Sequence, residues 1–285
     1  LSTRQLLRRA VLALLLAGTM SACRGGDATA PLPGSESARV LAHLAVSGAP
    51  ESPTGATWTY RDTVDGIVYD LAGVLLKPSG SGPFPAIILS HGFGGSASGY
   101  PRNVGAVMAT WGAVVIGANY THALAAPPGS PGTSSDLGGS AANVQRARRL
   151  AELLRALGYV DMSRLAAHGH SMGAFVTTAL AATHPDLLRA ASHTAGGVAA
   201  TSSLGIPSES QGRAIRTPYQ MHHGERDFVV APAADQRLDA LLTASGTPHE
   251  LFVYPGAEHN DVAFDLAILE RVRGWYVKNG VLSNR

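Results

Sequence analysis

The chain has 285 residues, 45% of them hydrophobic and 15% charged, and a formal charge of +2. Residues 1–22 carry three arginines and no acid, so without them the charge falls to −1 and nothing argues for nucleic acid as a partner. The single cysteine, Cys23, excludes an internal disulfide, a Cys-based zinc site and a cysteine nucleophile in the domain that follows.

Residues 1–22 read as an address rather than part of the fold. Arg4, Arg8 and Arg9 precede a short apolar run, Val11 to Leu16, and small residues then lead to Cys23. The run is too short to span a bilayer, so it reads as a secretory signal peptide. Met20-Ser21-Ala22-Cys23 resembles a bacterial lipobox. That resemblance implies lipidation at Cys23 and an exported lipoprotein anchored to a membrane, periplasmic or at the cell surface; ordinary secretion with a free Cys23 is the alternative. Residues 23–37, rich in Gly, Pro, Ser and Ala, read as a flexible tether. Residues 38–285 form one domain's worth of chain, ample for a core of its own.

Within that domain, 57–62 and 66–77 read as two antiparallel strands joined by a turn. Ala86-Ile87-Ile88-Leu89-Ser90 is apolar throughout, as a strand buried on both faces must be. A helix over 104–110 and a second buried strand over 113–118 follow. Residues 139–157 form the clearest amphipathic helix. Val144, Ala147, Leu150, Ala151, Leu154 and Leu157 share a face, Arg146, Arg149, Glu152 and Arg155 lie largely opposite, and Gly158 stops it. Next comes an apolar run into Gly169-His170-Ser171-Met172-Gly173, then an Ala/Val/Leu-rich segment through Ala182: a strand, a very tight turn and a helix. Strands over 188–194, 218–222 and 250–254 and helices over 233–244 and 262–277 complete the chain. Alternating strands and helices imply an α/β fold with a mostly parallel sheet covered on both sides, whose sites lie beyond the strand C-termini. His91, Ser171, Asp227 and His259 all fall at such ends.

A serine hydroxyl is a weak nucleophile that needs an adjacent base, and the base needs an acid to fix its tautomer and steady its cation. Ser171, at the apex of the tight turn, is the nucleophile expected here, and Gly169 and Gly173 supply the room the turn needs. The stretch Gly-His-Ser-Met-Gly resembles the nucleophile elbow of the α/β-hydrolase superfamily. His223-Gly224-Glu225-Arg226-Asp227-Phe228-Val229-Val230 resembles the loop that carries the family's acid, which implies Asp227 rather than Glu225. Tyr254-Pro255-Gly256-Ala257-Glu258-His259 resembles the loop that delivers the base, His259. His91-Gly92-Phe93-Gly94-Gly95 resembles the oxyanion loop, which implies that the backbone N–H groups of Phe93 and Met172 form the oxyanion hole and that the Phe93 ring walls the acyl pocket.

The resemblance covers most of residues 57–278 and is nearest to serine esterases of the dienelactone-hydrolase-like and cutinase-like branches. It extends more distantly to the catalytic domain of prolyl-oligopeptidase-type peptidases. Named dienelactone hydrolases use a cysteine where this chain has Ser171. The resemblance implies cleavage of carboxylic esters, small or polymeric, through an acyl-enzyme with no cofactor; many relatives insert a helical lid where this chain has residues 197–217, a loop too short for a lid domain. A peptidase or amidase with the same triad, and a non-catalytic surface binding protein on a hydrolase fold, are the alternatives. The 120–136 and 197–217 loops are expected to flank an open cleft and set selectivity. Histidines 91, 168, 170, 222 and 223 are expected to serve as hydrogen-bonding groups, since neither cysteines nor an H-E-x-x-H helix suggests a metal site. Asp261 is expected in the first turn of the last helix.

Overall fold

The computed structural model describes residues 34–124, 136–201 and 203–284. Residues 1–22, read from the sequence as a signal, Cys23, and all but the ends of the 120–136 loop lie outside the described residues. A nine-stranded sheet runs in the order β1-β2-β3-β5-β4-β6-β7-β8-β9. Its antiparallel edge is β1 (Leu44–Ser47), β2 (Ala56–Val64) and β3 (Ile67–Leu76), and β3 pairs antiparallel with β5 (Val114–Ala118). From β5 onward every pairing is parallel, through β4 (Phe84–Ser90), β6 (Val160–His170), β7 (Ala190–Thr194), β8 (Tyr219–Gly224) and β9 (His249–Tyr254).

Pleating sends alternate side chains of the central strands to opposite faces. Ile87, Leu89 and Val115 pack with α2 (Tyr100–Ala109) and α7 (Leu266–Lys278). Ala86, Ile88 and Ile116 pack with α3 (Ala141–Ala156), α4 (Met172–Thr183) and α6 (Ala233–Ser245). The continuous apolar runs seen in the sequence therefore serve two cores at once. Trp58 and Trp275 are buried, each indole N–H donating to a carbonyl, of Val74 and Ala191 respectively. Among the described residues no helix is long and apolar enough to cross a membrane.

The chain leaves β4 toward β5 on one side and returns to β6 on the other. The helix after β4, α2, covers one face, while the helix after β6, α4, covers the other. The loops leaving β4 and β6 therefore diverge and open a crevice at their C-terminal ends, the place where parallel sheets bind ligands.

Four sequence expectations need correction. A helix, α1 (Gly34–Ala42), takes in residues 34–37 of the stretch read as tether. Arg146 and Arg149 of α3 are buried, because α1 and the β2–β3 hairpin cover that side of the helix. There Arg149 lies over the Tyr69 ring at 4.6 Å and pairs with Glu152. The 197–217 loop contains a short helix, α5 (Glu209–Ala214), opened by Ser208 and Gln211 in a reciprocal capping box. Finally, α7 begins four residues late, because Asp265 accepts the Ala267 and Ile268 N–H groups as its N-cap. Asp261 thus lies before the helix and accepts the Glu258 N–H at 2.8 Å.

Candidate active site

β6 ends by throwing Ser171 into the crevice. Its backbone is at φ 57°, ψ −122°, a region that costs a non-glycine residue about 1–3 kcal/mol. The Ser171 N–H donates to Thr194 O at 3.0 Å, while its carbonyl accepts the Ala174 and Phe175 N–H groups of α4. Strand and helix can converge this tightly only because two flanking residues lack side chains. A Cβ on Gly169 would strike the Gly173 carbonyl, and one on Gly173 would strike the Ser90 carbonyl.

Two loops from farther along the sheet meet the serine. His259, five residues past β9, brings Nε2 to 2.9 Å from Ser171 Oγ. Its Nδ1 lies 2.7 Å from Asp227 Oδ2. A carboxylate only accepts, so Nδ1 carries the proton and Nε2 faces the hydroxyl as the acceptor. Oδ1 of Asp227 accepts the Val229 and Val230 N–H groups at 2.9 and 2.8 Å. Burial alone would raise the Asp227 pKa, but the hydrogen bonds from His223, His259 and Val230 hold it well below the usual carboxylate range. Glu225, the other carboxylate of this loop, braces the site from outside. Its side chain accepts the Gly256 N–H at 2.9 Å and ties down the loop that carries His259. The His170 ring lies 5.0 Å from that of His259, and its Nδ1 is bonded to Thr194 Oγ1 at 2.9 Å.

The loop after β4 is fixed by a network the sequence did not reveal. His91 Nδ1 donates to Gly92 O at 2.8 Å while its Nε2 accepts the Tyr120 N–H at 3.1 Å, an arrangement that needs a neutral ring. Burial agrees, pushing its pKa down to about 4. His122 Nε2 donates to His91 O at 2.9 Å, with Asn143 Nδ2 donating to its Nδ1 at 3.3 Å. Gly94 and Gly95 donate to His122 O and Gly92 O, which shapes the turn around Phe93. Behind the acid, Asp235 of α6 is wholly buried between His193 Nε2 and His223 Nδ1, each at 2.7 Å. A sequence signal for it existed: 235, 238 and 242 share a helical face, so Asp235 stands in line with two core leucines.

Ser171 and His259 open onto a cavity of about 430 Å³ also lined by Phe93, Tyr100, Val229 and Phe264. Phe93 and Val229 remain 70% and 71% exposed, and Phe228, next to Val229 in the chain, 89%. Among the described residues no Asp, Glu, Lys or Arg lines the cavity. Of the residues expected at the site, Ser171, Asp227 and His259 are brought together, Phe93 lines the cavity, and Met172 opens α4 directly after the serine. Among the described residues no group of three or more His, Cys, Asp or Glu is arranged to hold a metal ion.

A strained serine on a strand–turn–helix, set at the switch point of a mostly parallel sheet, makes this an α/β hydrolase. Residues 71–265 match the dienelactone hydrolase family, 195 of the 285, and the chain belongs to that family. A search of curated proteins finds no match. Among solved structures, the fold is shared with a puromycin-hydrolyzing peptidase of Mycobacterium tuberculosis. That protein is 17% identical, with a TM-score of 0.64 over 85% of this chain and 46% of its own. The fold is also shared with the thermophilic esterase Est2 of the planctomycete Thermogutta terrifontis, 19% identical, with a TM-score of 0.60 over 80% of this chain and 94% of its own. The chain thus spans less than half the length of the peptidase.

Proposed function

We propose that this hydrolase cleaves uncharged carboxylic esters with apolar substituents through an acyl-enzyme on Ser171. His259 takes the hydroxyl proton as Ser171 attacks the carbonyl, and Asp227 steadies the imidazolium. The oxyanion forms against the Phe93 and Met172 N–H groups, donors fixed before the reaction begins. The alcohol leaves with the proton from His259, and a water activated by the same ring releases the acid. The observation that carries the ester reading is the cavity wall. Among the described residues it offers no fixed charge to hold a peptide terminus or a carboxylate-bearing lactone, while Phe93, Val229 and Phe264 present apolar surface to an acyl or alcohol chain.

Turnover of nitrophenyl esters is expected to rise from acetyl to hexanoyl and to exceed that of aminoacyl anilides by at least about 10²-fold, with Ser171→Ala at background. Faster anilide cleavage would favour a peptidase, and fluorophosphonate labelling that persists in Ser171→Ala would remove the nucleophile assignment.

The proposal extends to export and lipid attachment at Cys23, supported by Arg4, Arg8 and Arg9 before an apolar run and by Met20-Ser21-Ala22-Cys23. In a bacterial host, Cys23→Ala is expected to move activity from the membrane pellet to the soluble fraction. Activity that pellets equally with both would show that Cys23 is not the anchor.

A further inference from the structure

His222 and His223 are neighbours on β8, so pleating turns them to opposite faces, and their surroundings differ in kind. The His222 ring has Tyr254 Oη at 2.8 Å and Gln220 Oε1 at 2.9 Å, and a hydroxyl can donate or accept as required. A neutral imidazole suffices there, and burial pushes the pKa of His222 down to about 3.

His223 meets no donor. Its Nδ1 is 2.7 Å from Asp235 Oδ2, and its Nε2 is 2.8 Å from Val230 O with Asp227 Oδ2 at 3.3 Å. Two carboxylates and a carbonyl can only accept. A neutral ring, with one N–H, would leave a nitrogen lone pair pointing at oxygen lone pairs inside the protein, so both nitrogens must carry protons. His193, on the far side of Asp235, differs again: its Nε2 donates to Asp235 Oδ1, while its Nδ1 faces the Tyr219 hydroxyl at 3.0 Å, which can donate to it.

We infer that His223 is a standing cation and a positioning residue of the hydrolytic site: it ties Asp227 to the buried Asp235 and offsets the surplus negative charge behind His259. The inference rests on the assignment of Asp227 and His259 made above. The titratable groups around His223 are Asp227 on its own loop, Asp235 from α6, His193 from β7, His170 from β6 and, through Asp227, His259 from the loop after β9. With His223 charged, the two aspartates and the ring sum to one negative charge; with it neutral they would sum to two. A second uncompensated charge behind the His259 imidazole would favour its cation over the neutral base that must accept the serine proton. Burial works against the charged ring, yet the hydrogen bonds to Asp227 and Asp235 outweigh it and raise its pKa to about 10.

The test reads the pH dependence of kcat/KM on a nitrophenyl ester and, in parallel, of the fluorophosphonate labelling rate. In His223→Gln the acid limb of both profiles is expected to move up by about one pH unit. The rate should then fall about tenfold at pH 6 and stay within a few-fold of the parent at pH 9. His223→Lys, which restores a cation, is expected to bring the limb back. A His223→Gln profile superimposable on the parent's, in a folded variant, would overturn the inference, because a purely structural residue lowers the whole curve without sliding it. Should His223→Gln not fold, ¹⁵N resonances of the unmodified protein at pH 8 decide. Two protonated-type ring nitrogens on His223 support the inference, and one protonated with one bare nitrogen refutes it. That measurement needs neither turnover nor labelling, so failure of the triad assignment, seen as a parent protein that does not label at all, remains distinguishable.

Discussion

Ser171 keeps its strained backbone only because β6, α4 and the loop after β4 crowd around it, and the two elbow glycines transmit that crowding. Gly169→Ala sets a methyl against the Gly173 carbonyl and the Ala174 nitrogen, both backbone atoms that no rotamer change can clear. Overpacking of this kind costs about 1–3 kcal/mol. The expected variant is folded, melts several degrees lower, and has lost at least about 10²-fold in kcat/KM, because a serine displaced by about 1 Å no longer meets His259. Loss of stability with undiminished turnover would mean that the elbow tolerates movement. At this scale the sequence was legible wherever chemistry compels spacing: the glycines two positions either side of Ser171, Asp227 four after His223, and His259 just past a strand. Asp235 and His193 escaped because their partnership spans 42 residues, with α5 and β8 between them, and no spacing rule joins them.

Elements were legible where their periodicity belongs to them alone, and less so where neighbours decide. The parallel strands announced themselves by unbroken apolar runs. Arg149 faces inward because the aromatic rings of β2 and β3 accept its guanidinium, a tertiary choice that the pattern of α3 does not contain. The start of α7 was misplaced because Val262 and Ala263 are buried and fit a helical face, yet they belong to the loop that carries His259. Asp265 draws that boundary. Asp265→Ala removes the cap on the Ala267 and Ile268 N–H groups at a cost of about 1 kcal/mol. The expected signature is local: faster amide exchange over residues 256–268, with protection in β4 and β6 unchanged. Asp265→Asn, which still accepts, should largely restore it. Uniform loosening of the molecule would show that the cap does not set the loop.

For the whole molecule, the abundance of buried imidazoles sets a dependence of stability on pH that an ordinary carboxylate-rich core does not share. Burial pushes His91 down to about 4, His122, His170 and His222 to about 3, and His168 well below its ordinary value. Once unfolded, each takes up a proton near pH 6.5, so between there and about pH 4 the unfolded chain binds more protons and stability falls as the medium is acidified. Each such site removes about 1.4 kcal/mol per pH unit, so two of the five acting fully over two units would remove about 5 kcal/mol, as much as many domains possess. His223 has the opposite sign. Its pKa is raised to about 10, so its contribution is complete below about 6.5 and is lost as pH climbs through 10. Asp227 and Asp235, both held low, contribute above the carboxylate range and lose that contribution only in stronger acid, after the histidines have acted. Stability is therefore expected to peak near pH 6.5–7, to drop steeply toward pH 5, and to decline more gently toward pH 10. Urea unfolding followed by tryptophan fluorescence across that range reads it directly, since Trp58 and Trp275 are both buried. A midpoint that holds level from pH 7 down to pH 4 would place the acid transition among the carboxylates and show that the buried rings take up protons without unfolding the chain.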